Sequence, residues 1–427
     1  MNKSWYSGFF TAIVFIAIST SLLAQKNVLI HEESGETYAP CEPSIAIDPK
    51  NPDRMVAGSV LNNVYHSKDG GFTWERDELT SSLGVYGDPC IVADNRHRFY
   101  YFHLSNPSGE GWANDDILDR IVCQRSSKNL KKWSDGGSIG LNGSKDQDKE
   151  WAAWNPINKR LAVTWTQFDK YGDESPECRS NILLSTSKKG ETWSQPITIS
   201  STPGDCIDES ETTEGAVPAI DNEGNILVSW SLNGKIFFNK IRFENPTSYE
   251  TKECVIIDQG ADWAFDIPGI GRANGMPITA HDNNSGNIYV NWADQSNGAN
   301  DTNIWLIKSS DGGATWSKRI RVNDDAPGKH QFFTWMTVDQ SNGYIYCVFY
   351  DRRNHNDTKT DVYLAISEDG GETFENRKIS ESPFEPSKDV FFGDYNNISA
   401  VNGVVRPIWT RNDNGKLSIW TAIVNDN

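Results

Sequence analysis

Residues suited to acid and base chemistry recur at one place in a repeating pattern. Seven times a short run of small and apolar residues is closed by Asp or Asn, as from Glu42 to Asp48 and from Asp88 to Asp94. The residues that open these runs are largely carboxylic acids: Glu42, Asp88, Glu150, Glu214 and Asp394, with Asp389 and Tyr395 beside the last. A second set follows the next apolar run of each unit. Its cations are Arg179, Arg352, Arg353 and Arg411, and its other members include His103, Asp169, Tyr171, Asp294 and His355. A guanidinium grips a carboxylate or sulfate with two parallel hydrogen bonds, and a carboxylic acid can protonate a leaving oxygen. Arginines facing carboxylic acids therefore suit hydrolysis of an acidic oligo- or polysaccharide.

Other chemistry fits the same residues. His103, Tyr171 and Arg179 would serve a polysaccharide lyase, which removes a proton beside a uronate carboxylate. A protein that only binds a glycan or another protein needs neither set. The carboxylates could also simply solvate a channel, or hold a cation such as calcium. Asp294 and Asp301 read as ligands or as loop solvation. Arg352 and Arg353 have Asp351 and Asp357 close by as surface partners. His103 and His281 fall in or beside apolar runs, where a histidine is ordinarily packed, which leaves His355, in a polar loop, as the better reactive histidine. No resident cofactor is expected beyond that calcium alternative.

The elements that must position these groups are strands. Forty-eight aromatic residues, 34 glycines and only 4 methionines, with no long Ala/Leu/Glu/Lys-rich stretch, argue for many short strands joined by turns. The seven units start about 46 to 66 residues apart, the spacing of one four-stranded blade with inserted loops. The expected fold is all-β, a single propeller over residues 25–427, with seven four-stranded blades and six as the alternative count. The seventh unit runs short of chain, and Asn27 to His31 could supply its outer strand. In such a ring the loops that open each inner strand and those after each second strand share one face, so both residue sets should converge on one mouth.

An eight-residue pattern marks the outer turns. It reads SKDGGFTW from Ser67, SSDGGATW from Ser309 and SEDGGETF from Ser367, with a worn copy, TSKKGETW, from Thr186 and a remnant between Ser126 and Trp133. Asp and Gly-Gly supply turn geometry, and the closing aromatic plugs the turn against the sheet. This pattern resembles the Asp box, or BNR repeat, of sialidase-like β-propellers. The resemblance covers nearly all of the chain after its leader. It implies a sialidase-like exo-glycoside hydrolase with Asp88 as the acid, Tyr395 as the nucleophile and Glu214 as the carboxylate behind it. Arg352 or Arg353 with Arg411 would form part of the clamp on the substrate's anion. Two features depart from that family: its catalytic domains are six-bladed, and where they carry Arg-Ile-Pro this chain has Glu42, Pro43 and Ser44.

Net charge is −18, which repels a phosphate backbone and argues against a nucleic-acid partner. Lys3 followed by the apolar stretch from Phe9 to Ala24 reads as a secretory signal over residues 1–24, cut after Ala24. A secreted or periplasmic monomer with no membrane span is the expectation. The seven cysteines are odd in number and show no CxxC spacing. Cys178 and Cys206 fall in two loops expected at the mouth, where a disulfide would stiffen it and hold Arg179.

Overall fold

The computed structural model describes residues 26–33, 38–245 and 248–425. The expected leader, residues 1–24, lies outside them. Seven four-stranded antiparallel sheets are arranged as blades, together with one short ribbon that pairs Ala264–Phe265 with Ala273–Asn274. The inner strands are Ser44–Ile47, Cys90–Ala93, Asp146–Asn155, Glu214–Ile220, Ile278–His281, Gln331–Val338 and Asn397–Val401. Each packs against the inner strand of the next blade, and the seventh packs against the first, closing a ring.

The seventh blade joins the two ends of the chain. Its outer strand is Lys26–Glu33, paired antiparallel with Lys416–Asn425, so the N-terminal run does complete the last sheet. Asn27 ties that strand to the sixth blade. Its Nδ2 donates to Ile379 O at 2.8 Å, and its Oδ1 accepts from Glu381 N at 2.9 Å.

The repeat has a structural logic inside each blade. On the second strand, the residue after the partner of the first channel-lining residue is Trp165, Trp230, Trp292, Phe349 or Trp409 in five blades, every one fully buried. In the second blade that position is His103. The Asp or Asn closing six of the seven inner strands caps the turn that follows, while Asn402, closing the seventh, itself takes a positive φ of 53°. Asp48 Oδ1, for example, accepts from Lys50 N at 2.9 Å, and Asp94 Oδ1 from Arg96 N at 2.7 Å.

The eight-residue pattern joins third to fourth strands, on the face opposite the mouth. In the first copy Ser67 Oγ donates to Asp69 Oδ1 at 2.8 Å and accepts from Gly71 N at 2.9 Å, while Asp69 accepts from Thr73 N and Thr73 Oγ1. Trp74 Nε1 closes the turn on Gly71 O at 3.0 Å. The copies at 309–316 and 367–374 repeat the Ser–Asp–Gly–Thr bonding. In the worn copy Lys188 replaces the Asp, yet Ser187 still accepts from Gly190 N and Trp193 still donates to Gly190 O.

Candidate functional site at the propeller mouth

Backbone geometry aims the mouth residues. Two positions before the first channel-lining residue, Glu42, Asp88, Lys149, Gly215 and Phe333 all have positive φ, between 48° and 76°. In the third, fourth and sixth blades this coincides with a β-bulge, where the register shifts between Asp148 and Trp151, Glu214 and Val217, and Phe332 and Trp335. For a non-glycine residue this conformation costs about 1 kcal/mol, and bulges of this kind re-aim side chains beside functional sites.

The result is a cavity of about 370 Å³ at the mouth. Glu42, Asp88, Asp148, Lys149 and Arg272 supply its polar surface, and Tyr38, Tyr86, Trp112, Tyr171 and Phe391 its aromatic walls. Trp112 stands on a short 3-10 turn, Gly111–Ala113, its ring 5.6 Å from that of Tyr171 and edge-on to Tyr86 at 6.5 Å. It is 62% exposed.

The charges form one connected network. Lys149 Nζ lies 3.1 Å from Asp394 Oδ2, 3.4 Å from Asp88 Oδ2 and 4.0 Å from Asp148 Oδ2. Arg272 donates from Nε to Asp394 Oδ1 at 2.9 Å, from Nη2 to Asp394 Oδ2, and from Nη1 to Asp208 Oδ2 at 2.7 Å. Tyr171 donates its hydroxyl proton to the same Asp208 oxygen at 2.7 Å. Asp394 N donates to Glu42 Oε1 at 3.0 Å.

Burial and like charge set the protonation pattern. Burial, then the charges of Asp88 and Asp394, push Glu42 well above the carboxylate range, against the pull of Lys149. Burial also lifts Asp148, to about 7, with Lys149 opposing and Asp88 and Asp208 adding to the rise. Burial alone would raise Asp394, but Arg272 and Lys149 bring it down to about 2. Lys149 is driven the other way: burial disfavours its charge, yet Asp148, Asp88 and Asp394 hold it firmly protonated.

The residues singled out from sequence separate into three groups. Glu42, Asp88 and Asp394 meet in this network. Glu150, Glu214 and Tyr395 are at most 3% exposed and do not line the cavity. Among the described residues, neither oxygen of Glu150, nor Glu214 Oε1, nor the Tyr395 hydroxyl has a hydrogen-bond partner. Tyr395 packs against Trp151 and Trp335, and burial followed by Glu42, Asp88 and Glu150 raises its hydroxyl well above the usual range.

The four arginines form the third group, with His355. Arg179 Nη1 donates to Pro176 O and Cys178 O. Arg352 donates to Thr360 Oγ1 and Pro268 O. Arg353 pairs with Asp351 and Asp324, and Arg411 with Asp413. His355 Nε2 lies 2.9 Å from Asp361 Oδ2. None of the five lines the mouth cavity. Asp294 accepts from Trp292, Trp305, Ser296 and Arg319, a knot of local bonds. His103 is fully buried, with one ring nitrogen 2.8 Å from Leu104 O and the other 3.1 Å from Gln124 Oε1; burial lowers it to about 4.

Sequence reasoning missed Asp148, Lys149, Asp208 and Arg272. Lys149 had a signal: it opens its unit as Glu42 and Asp88 open theirs. Arg272 had none, because it reaches the mouth from an insertion before the fifth blade, between the two strands of the short ribbon. Trp263 of that insertion is buried and packs the loop. The disulfide expected between Cys178 and Cys206 is present and closes a separation of 28 residues. Asp208, the shared partner of Tyr171 and Arg272, stands two residues beyond it.

No family model matches the sequence, and no curated protein does. Solved structures do. A protein of unknown function from Dyadobacter fermentans DSM 18053 aligns with 95% of this chain and 100% of its own, at 13% identity and TM-score 0.50. The endosialidase of phage phi92 aligns over 95% of this chain and 69% of its own, at 10% identity and TM-score 0.50. The fold is that of a sialidase-like propeller. Trypanosoma rangeli sialidase also aligns, at 11% identity and TM-score 0.48 over 83% of this chain; the aligned part is 56% of that sialidase. Sialidase-like likeness at these identities describes architecture, and the mouth chemistry has to be argued from this chain's own residues.

Proposed function

We propose that this sialidase-like propeller is an exported carbohydrate-active protein that hydrolyses glycosidic bonds at its mouth, with the eight-residue turns as its Asp boxes. The observation that carries the reading is the Glu42–Asp88 pair on the cavity surface. Burial and neighbouring charge keep a proton on Glu42, and Asp88 beside it is the ion-pair partner of Lys149. Two carboxyl groups that differ in this way form an acid–base couple. The pair gives a proton to the glycosidic oxygen as the C–O bond breaks. Water adds to the anomeric carbon and returns a proton to the pair, which ends as it began. The aromatic walls offer flat faces to a sugar ring.

The acidic glycan expected from sequence rests on Arg179, Arg352, Arg353 and Arg411, whose contacts are made away from this cavity. The tyrosine route rests on Tyr395, whose hydroxyl is buried. Those placements favour the carboxyl pair over a tyrosine nucleophile, and they also favour a second reading, a glycan-binding propeller without turnover. Assays on a panel of aryl glycosides, a fluorogenic sialoside among them, separate the two. Hydrolysis that falls about a hundredfold or more in Glu42→Gln and Asp88→Asn, and stays within about threefold in Tyr395→Phe, supports the carboxyl pair. Loss in Tyr395→Phe alone restores the tyrosine route, and silence of the folded wild type across the panel leaves the binding reading.

A further inference from the structure

We propose that the sugar accepted by the mouth cavity is a basic one, bearing a free protonated amine, and that sugars carrying a carboxylate are turned away. This rests on the reading of the cavity as a sugar site and adds the charge of the ring.

The argument is one of unspent partners. A carboxylate entering the cavity needs a cation or several N–H donors. The cavity holds two cations, and both are engaged. Lys149 sits among Asp394, Asp88 and Asp148, at 3.1, 3.4 and 4.0 Å. Arg272 spends a two-pronged grip on Asp394 and a further bond on Asp208. An anion arriving at the two N–H groups that Arg272 has left would stand beside Asp208 and Asp394, at a site where reduced dielectric strengthens repulsion.

A cation meets the opposite situation. Four carboxyl groups, on Asp88, Asp148, Asp208 and Asp394, surround two cations, so negative charge exceeds what Lys149 and Arg272 neutralise. Burial is the main cause of the rise of Asp148 to about 7, and the charges of Asp88 and Asp208 add to it against the pull of Lys149. An ammonium near Asp148 and Asp88 would relieve the excess through charge-assisted hydrogen bonds. The rings of Trp112 and Tyr86 on the walls also attract a cation, whereas Phe391 already carries the Arg272 guanidinium 5.9 Å from its centroid.

The test is a fluorescence or calorimetric titration of the intact wild-type protein with glucosamine, glucose and glucuronic acid near neutral pH and at low salt. Glucosamine is expected to bind about tenfold more tightly than glucose, and glucuronic acid more weakly than either. In Asp148→Asn the gap between glucosamine and glucose is expected to close. Glucuronic acid binding as tightly as glucosamine would overturn the inference, and so would the absence of any glucosamine binding. Turnover is scored separately. Glucosamine bound without hydrolysis of its aryl glycoside sinks the hydrolase reading and leaves the inference standing. Hydrolysis of a sialoside with no glucosamine binding does the reverse.

Discussion

At the scale of single residues, the mouth shows how burial turns similar carboxyl groups into different reagents. Asp148 and Asp394 both touch Lys149, yet one is raised to about 7 and the other lowered to about 2. The difference is Arg272, which binds Asp394 through two nitrogens and does not reach Asp148. This gives a signed prediction. Asp148 holds its proton in the folded state from its ordinary value of 3.8 up to about 7, while the unfolded chain has released it. The folded state binds more protons across that window, so its stability falls as pH rises through it and levels off above. Asp148→Asn removes that contribution. Thermal unfolding followed from about pH 4 to 7 should decline less steeply in the variant than in the wild type; parallel curves would show that Asp148 titrates normally.

At the scale of elements, the repeat spends its sequence on turns, and the turns are packed as well as bent. Gly313 has φ +90°, and a Cβ there would fall 2.5 Å from Cε1 of Phe238 in the preceding blade. Gly286 has a comparable φ of +78° with nothing within 4 Å of such a Cβ. Alanine at Gly286 should cost about 1 kcal/mol for the backbone alone. Alanine at Gly313 should cost about 1–3 kcal/mol more through overpacking. Denaturant midpoints of the two variants measure the difference, and equal costs would mean that the eight-residue turn is only a turn and not a joint between blades. His103 teaches the complementary lesson. Its residue type suggested reactivity, but its place in the blade repeat is the one filled by Trp165, Trp230, Trp292, Phe349 and Trp409.

At the scale of the whole molecule, the ring is closed by joining the first strand to the last blade. Lys26–Glu33 contributes the outer strand, and Asn27 bonds it across to the sixth blade. Because each blade packs on two neighbours, an open seam would expose edges on both sides. Asn27→Ala removes one buried and one part-buried side-chain hydrogen bond and should cost about 1–3 kcal/mol, read as a lower urea midpoint with unchanged slope. An unchanged midpoint would mean that strand pairing alone holds the seam.

The sequence by itself determined the architecture. The spacing of the seven units, the Asp or Asn that closes each inner run and the Gly-containing turns are local patterns, and a blade is a local object built from about sixty consecutive residues. The use of Asn27 to His31 as the last outer strand was legible for the same reason, since the seventh unit lacked one. Only the tertiary structure decided which charges meet. Lys149, Asp208, Arg272 and Asp394 come from separate blades and insertions, and their order in the chain carries no record of the distances between them. Depth was equally hidden. At the third blade's β-bulge Asp148 and Lys149 both line the cavity and Glu150 does not, because the bulge and the positive φ of Lys149 break the alternation of side chains along the strand.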